Sequence, residues 1–185
     1  LAIGLTLWFD EELERRLRDL WRELEALGVR SHLYNGLYRP HVTLSIWETA
    51  RLSELEADLR RLVASRPRFP LRFTGVGEFD DEETAVFLRP EAECLPELQR
   101  TVHELAAPFG VLTSRYYLPD HWIPHCTMAW RVAVEQFQTA REAMRARESL
   151  PSGLVTALGV VDTPAEVELE RLEFASQFDP PRRLG

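Results

Sequence analysis

Pro40-His41-Val42-Thr43-Leu44 is written twice in this chain. Pro124-His125-Cys126-Thr127-Met128 repeats its order of Pro, His, apolar, Thr, apolar. Five histidines and a Thr frequency of roughly one residue in twenty yield about a quarter of an H-x-T by chance. Two copies with matching flanks therefore carry information. In a strand, residues i and i+2 share a face, so His41 and Thr43 point together while Val42 and Leu44 turn into a core. His125 and Thr127 do the same, with Cys126 and Met128 behind them. Each strand is expected to offer one imidazole and one hydroxyl to a common surface.

Outward from the first motif, residues 2–9 are apolar and read as a buried strand. Asp10 is a plausible N-cap for a helix whose face is Leu13, Leu17, Leu20, Leu24 and Leu27, ended by Gly28. Glu11–Arg15, Glu12–Arg16 and Glu14–Arg18 stand at i,i+4 on its wet side. Asn35-Gly36 signals a tight turn into Pro40. After the first H-x-T strand, which runs to about Trp47, Ser53-Glu54-Leu55-Glu56 reads as a capping box. It opens a helix with Leu55, Leu59, Leu62 and Val63 inward, ended before Pro67. Strands follow at 70–76 and 84–88, joined by an acidic loop containing Glu78, Asp80, Asp81, Glu82 and Glu83.

A third helix from Pro96 shows Leu98, Val102, Leu105 and Phe109, closed by Gly110. A loop over 111–124 leads into the second H-x-T strand. A fourth helix at 134–147 turns Phe137, Ala140 and Met144 inward, and strands at 154–161 and 167–177 finish the chain. The order β-α-β-α-β-β-α-β-α-β-β, with one H-x-T in each half, predicts an α+β fold of duplicated strand-helix units. Residues 1–185 are expected to form a single two-lobed domain.

Composition narrows the function. Charged and apolar contents of 28% and 45% are those of an ordinary globular protein, and a net charge of −8 argues against a grip on long nucleic acid. All 22 basic residues are Arg, which excludes lysine-nucleophile chemistry, a P-loop and ligation through an adenylated Lys. No apolar run approaches the ~20 residues of a membrane span. No basic-then-apolar leader is visible, and because Leu1 is not an initiator Met nothing is read from where the sequence begins. Cys94 and Cys126 form no framework, so a reduced, cytoplasmic setting is expected.

Two H-x-T-apolar motifs in a strand-helix repeat of this length resemble the 2H phosphoesterase superfamily, which includes LigT-like 2′-5′ RNA ligases and cyclic nucleotide phosphodiesterases. The resemblance implies a bilobal fold with two antiparallel sheets facing a central cleft, each contributing one motif. It implies hydrolysis of 2′,3′-cyclic phosphodiesters, with 2′-5′ joining as a side activity. His41 and His125 match the catalytic histidines of the family, and Thr43 and Thr127 the hydroxyls that hold phosphate. The chain departs from the ligase-like branch in two places. Trp130 stands where Arg is common, with Arg131 next, and Ser45-Ile46-Trp47-Glu48 replaces a common Phe-Leu-Gly sequence.

Opening a cyclic phosphodiester needs a base on one side of phosphorus and an acid on the other. Histidine serves either role near neutrality, and the two Thr can hydrogen-bond the non-bridging oxygens. Arg39, Arg115 and Arg131 are candidates to add charge there. Tyr34, Tyr38, Tyr116, Tyr117 and Trp122 are candidate platforms for a base. No cofactor is called for, and a metal at His121, His125 and Cys126 is disfavoured because Pro119 and Pro124 break a helical pair. His32 and His103 have no motif around them. The expected ligand is a nucleotide or short RNA end carrying a cyclic phosphate, bound by a monomer away from membranes. The alternatives are a nucleotide sensor that does not turn over and a phosphodiesterase for a non-nucleotide cyclic phosphate.

Overall fold

The computed structural model describes residues 1–35, 38–49, 51–79 and 84–176. Strand β1 (Ala2–Phe9) sends Ile3, Leu5, Leu7 and Phe9 into the core, while Gly4, Thr6 and Trp8 occupy its other face. Helix α1 (Glu11–Ala26) starts where Asp10 Oδ1 accepts from the Leu13 N–H at 2.7 Å, a cap worth ~1 kcal/mol. The other oxygen of Asp10 accepts from Leu154 N–H at 2.6 Å, so one carboxylate fixes both the helix and a neighbouring strand. The buried stripe is Leu13, Leu17, Leu20, Trp21 and Leu24. Leu27, expected on this stripe, is 57% exposed: the helix has ended at Ala26, and Gly28 at φ +91° turns the chain away. Arg15 pairs with Glu12 and Asp19 rather than Glu11, while Glu12–Arg16 and Glu14–Arg18 form as expected.

Next come β2 (Val42–Glu48), α2 (Leu52–Ala64), β3 (Phe69–Phe79), β4 (Ala85–Glu91) and α3 (Leu95–Ala106). The chain then forms β5 (Val111–Leu112), β6 (Cys126–Ala129), α4 (Val134–Arg145), β7 (Ser152–Asp162) and β8 (Val167–Glu173). The capping box at Ser53 is not used. Thr49 Oγ1 takes the Arg51 N–H at 3.0 Å, and α2 begins at Leu52, which puts Ser53 inside the first turn. Helix α3 stops at Ala106, short of Phe109, because Pro108 has no N–H for the helical ladder; residues 107–109 form a tighter turn. The loop expected over 111–124 contributes β5, too short for a periodic signal. Gly36 of the Asn-Gly turn, Asp80 to Glu83 of the acidic loop, and Gln177 lie outside the described residues.

The eight described strands make one antiparallel sheet in the order β5-β2-β1-β7-β3-β4-β6, with β8 alongside β7. The long strand β7 joins its two arms. One edge pairs with β1 along Val155 to Asp162, and the other pairs with β3 at Ser152 to Val155, then with β8 from Ala157 onward. The two expected antiparallel sheets are thus the two arms of one continuous ladder. Helices α2 and α3 pack together, α3 against β2; α4 covers β3 and β4. A single buried cluster runs through every helix and both arms.

Candidate active site

Strands β2 and β6 stand second and last in the sheet, yet the sheet curls until they touch. Their N-terminal ends meet at Cys126, whose buried sulfur is hydrogen-bonded to the His41 backbone. Burial pushes that thiol up to about 12, and the His41 contact offsets part of the rise. The two motifs are therefore brought together, with each histidine one residue before its strand begins.

The local geometry of the two motifs is the same. Opposite Leu5–Thr6 of β1, strand β2 places three residues, Thr43, Leu44 and Ser45. Opposite Val86–Phe87 of β4, strand β6 places Thr127, Met128 and Ala129. The apolar residue after each Thr is thus the extra residue of a β-bulge, which bends the strand and re-aims the side chains before it. A bulge leaves backbone groups without ladder partners, and here side chains supply them. Thr43 carbonyl accepts from Trp122 Nε1–H at 3.0 Å, and Leu44 carbonyl from Gln99 Nε2–H at 3.2 Å. Thr127 carbonyl accepts from Trp21 Nε1–H at 3.1 Å, and Met128 carbonyl from the Tyr34 hydroxyl at 2.6 Å. The supports are exchanged: Trp21 and Tyr34 precede the first motif but hold the second, while Gln99 and Trp122 precede the second and hold the first.

The imidazoles are oriented identically. His41 Nδ1 lies 2.7 Å from the Arg39 carbonyl, and His125 Nδ1 lies 2.7 Å from the Ile123 carbonyl. A carbonyl only accepts, so Nδ1 carries the proton in both rings and the neutral Nε2 is left with its lone pair. Each histidine keeps part of its surface open to solvent, yet protein crowds the rings, and this burial pushes both below the ordinary 6.5. The carbonyls oppose the shift; the charge of His125 adds to it at His41. The second effect requires the two rings to be near neighbours.

The rings around them differ. His125 has Phe79 at 5.3 Å and Phe87 at 5.4 Å. On the other arm Trp8, one register step from His41, lies over Gly159 so closely that a Cβ there would fall inside the indole; Phe87 lies over Gly77 in the same way. Trp8, Phe79, Phe87 and Trp21 were not singled out from the sequence. Trp8 and Phe87 lie in expected strands and were findable from alternation, but Phe79 falls past the strand expected at 70–76, and Trp21 carries no local signal beyond its place on a helix stripe.

The remaining candidates divide into groups. Arg39 holds His41 by its carbonyl and lays its guanidinium over Trp8 at 4.8 Å. Burial raises the pKa of Tyr38, its hydrogen bond to Glu166 adds to the rise, and the nearby charge of Arg131 opposes it. Arg131, at φ +53°, covers Trp130 at 4.3 Å. Glu166 also meets His32 Nε2 at 2.9 Å. Trp122 is tethered to β2 as described, and Tyr117 gives its carbonyl to Gln99 at 2.8 Å. Arg115 is exposed and lies over Tyr116 at 5.4 Å. His121 is exposed and His103 packs 5.2 Å from Trp47. Among the described residues no group of three or more His, Cys, Asp or Glu is placed to hold a metal ion, and no helix is long and apolar enough to cross a membrane.

The same architecture is found in solved structures. TT0787 of Thermus thermophilus matches 96% of this chain and 100% of its own, at 20% identity and a TM-score of 0.63. E. coli LigT complexed with 3′-AMP matches 95% and 98%, at 16% identity and 0.60. Kluyveromyces marxianus Usb1 matches 94% and 98%, at 14% identity and 0.56. Identities this low compare folds only. No curated protein sequence gives a significant match. The model of the 2′-5′ RNA ligase superfamily, however, matches residues 9–167, a span that includes both H-x-T motifs and the tethers that hold them. The chain belongs to the 2′-5′ RNA ligase superfamily, the 2H phosphoesterases.

Proposed function

We propose that this chain is one two-lobed domain that hydrolyses 2′,3′-cyclic phosphodiesters of nucleotides or RNA ends, with His41 and His125 as general base and general acid. The observation that carries the reading is the matched pair of imidazoles, each fixed through Nδ1–H to a carbonyl two residues earlier. With Nδ1 committed, a neutral ring has only Nε2 to take a proton, and a protonated ring only Nε2–H to give one. One histidine takes a proton from water as the water oxygen bonds to phosphorus. The bond from phosphorus to one ribose oxygen breaks, and the other histidine protonates that oxygen. A phosphomonoester and a free ribose hydroxyl result. Thr43 and Thr127 hydrogen-bond the non-bridging oxygens, with Arg39 and Arg131 adding positive charge, each donor commonly worth ~3 kcal/mol of barrier. Tyr38, Tyr117 and Trp122 bound the space for the nucleoside.

The size of ligand this requires is supported by the LigT structures, which hold 3′-AMP, NADP+ or ATP. 3′-AMP is what water makes of adenosine 2′,3′-cyclic phosphate when the 2′ oxygen leaves. The reading needs no metal, places the protein in RNA processing, and keeps it a cytoplasmic monomer with Cys94 and Cys126 reduced, both free. The test is turnover of the four nucleoside 2′,3′-cyclic phosphates in EDTA by the wild type, His41→Ala and His125→Ala. We expect EDTA-resistant hydrolysis, reduced by about 10²–10⁴ in either variant. Activity abolished by EDTA refutes the metal-free mechanism. Binding without turnover moves the reading to a sensor.

A further inference from the structure

We propose that the hydroxyl of Thr6 positions Thr43, donating to its oxygen so that the Thr43 O–H is aimed at the phosphate. The proposal rests on the cyclic-phosphate reading above and adds to it a residue that neither H-x-T motif contains. Thr6 lies on β1, on the face it shares with Gly4 and Trp8, while Leu5 and Leu7 on either side of it enter the core. Across the ladder it is the register partner of Thr43, and paired residues of antiparallel neighbours share a face. The two Thr side chains therefore stand side by side on the wall from which Thr43 meets the substrate.

Thr6 is 4% exposed, its Oγ1 is buried, and among the described residues that oxygen has no hydrogen-bond partner. A buried hydroxyl in that state is destabilising, and such groups are few in native proteins. The side chains that the ladder sets around Thr6 narrow its partner. Gly4 and its β7 neighbour Gly159 offer none. The methyl of Thr6 is the part turned toward Gly4, where a Cβ would meet Thr6 Cγ2 at 3.9 Å. Thr163, also against Gly4, gives its hydroxyl to the Ala2 carbonyl at 2.8 Å. The indole of Trp8 lies over Gly159, and its N–H only donates. Thr43 Oγ1 remains. Side chains paired in this way have Cβ atoms about 4.5–5.5 Å apart, near enough for Thr–Thr hydrogen bonding after one side-chain rotation.

Because Thr6 Oγ1 is closed off from the cleft, it acts through Thr43 and does not touch substrate. A threonine hydroxyl has one hydrogen and two lone pairs. When Thr43 accepts from Thr6, its own hydrogen is free for a non-bridging oxygen of the phosphate, and the first O–H strengthens the bond made by the second. The other motif has no such neighbour. The register partner of Thr127 is Phe87, so an aromatic ring stands where Thr43 has a hydroxyl. The two halves match at their bulges and differ in this pair.

The experiment measures kcat and KM for adenosine 2′,3′-cyclic phosphate, with thermal melts, in wild type, Thr6→Val, Thr6→Ser, Thr43→Val and Thr6→Val/Thr43→Val. Thr6→Val deletes an unpartnered buried hydroxyl and should melt at or above the wild-type temperature. It should nonetheless lose about tenfold in kcat, the worth of one hydrogen bond, with little change in KM. Thr6→Ser, which keeps the oxygen, should recover most of that loss. In the Thr43→Val background Thr6→Val should cost nothing further, because residues that act as one unit are not additive. A wild-type kcat in Thr6→Val, or the same further loss when the Thr43 hydroxyl is already gone, overturns the positioning role and leaves the cyclic phosphodiesterase intact. A lower melting temperature in Thr6→Val, with kcat unrecovered in Thr6→Ser, marks a structural role and overturns it too. Absence of turnover in the wild type overturns both readings.

Discussion

Changing Tyr34 to Phe removes one oxygen atom, and with it the 2.6 Å hydrogen bond to the Met128 carbonyl. The ring stays packed against the core and beside Trp21 at 6.0 Å. Met128 is fully buried and sits at the bulge of β6, so no ladder partner takes over its carbonyl. An orphaned buried acceptor costs about 1–3 kcal/mol. A central value of about 2 kcal/mol lowers the melting temperature by about 4–8 °C for a domain of this size. The consequence should extend beyond stability, because the bond holds the strand that carries His125. A displacement of about 1 Å in a reacting group costs on the order of 10² in rate, and a partial shift of β6 should lower kcat several-fold with little change in KM. The assay pairs urea denaturation with turnover and NMR titration of the histidine ring protons, with Leu62→Ala as the control. That truncation in α2 costs ~2 kcal/mol or more and touches neither motif. We expect Tyr34→Phe to change the titration of His125 more than that of His41, and Leu62→Ala to change neither. If Tyr34→Phe loses stability yet leaves the His125 titration and kcat at the control's values, the tether is structural only and the positioning role is wrong.

Acid should destabilise the fold through the same two histidines. The unfolded chain binds their protons near 6.5 and the folded chain only at lower pH. Below 6.5 the unfolded state therefore holds more protons and stability falls with pH, whereas above it the penalty is absent. A His41→Ala/His125→Ala double variant, in which the similarly lowered His103 remains, should lose less stability than wild type between about pH 7 and 5 in urea titrations; parallel losses refute the shifts. Because kcat/KM reports groups of the free protein, its optimum should lie on the acid side of 6.5, and a plateau extending past pH 8 contradicts both lowered values. With its thiol pushed up to about 12, Cys126 is ionised on the order of 10⁻⁴ at pH 8. Iodoacetamide should modify it only on unfolding, as read by mass spectrometry, and rapid native labelling would show that β6 is not closed against the His41 backbone.

What was legible in the sequence followed from repetition and period. The H-x-T pair located both strands and their inward residues, because alternation is a strictly local rule. The helix stripes of α1, α2 and α4 were readable for the same reason. What was not legible depended on partners far along the chain. Trp21 meets Thr127 across 106 residues and Tyr34 meets Met128 across 94, and no local pattern distinguishes these aromatics from ordinary core or loop residues. The bulges were equally hidden, since they appear only when β2 and β6 are set against β1 and β4. The capping box at Ser53 failed because a second hydroxyl, on Thr49, lay close enough to fix the chain entry first.

The frame makes the two histidines equivalent, and the proposed reaction needs them unequal. Both rings are held in one tautomer by the same contact and both are lowered by burial, so nothing in the free protein appoints one as acid. The anion does. A phosphodiester between the rings favours protonation of a histidine within ~4–6 Å. The repulsion that His41 already feels from His125 opposes a second proton once the first is in place. Binding therefore draws in one proton rather than two and creates an acid–base pair from two equal bases. We expect that proton on His125, with His41 as the base, because the charge of His125 acts to lower His41 while no charge acts to lower His125.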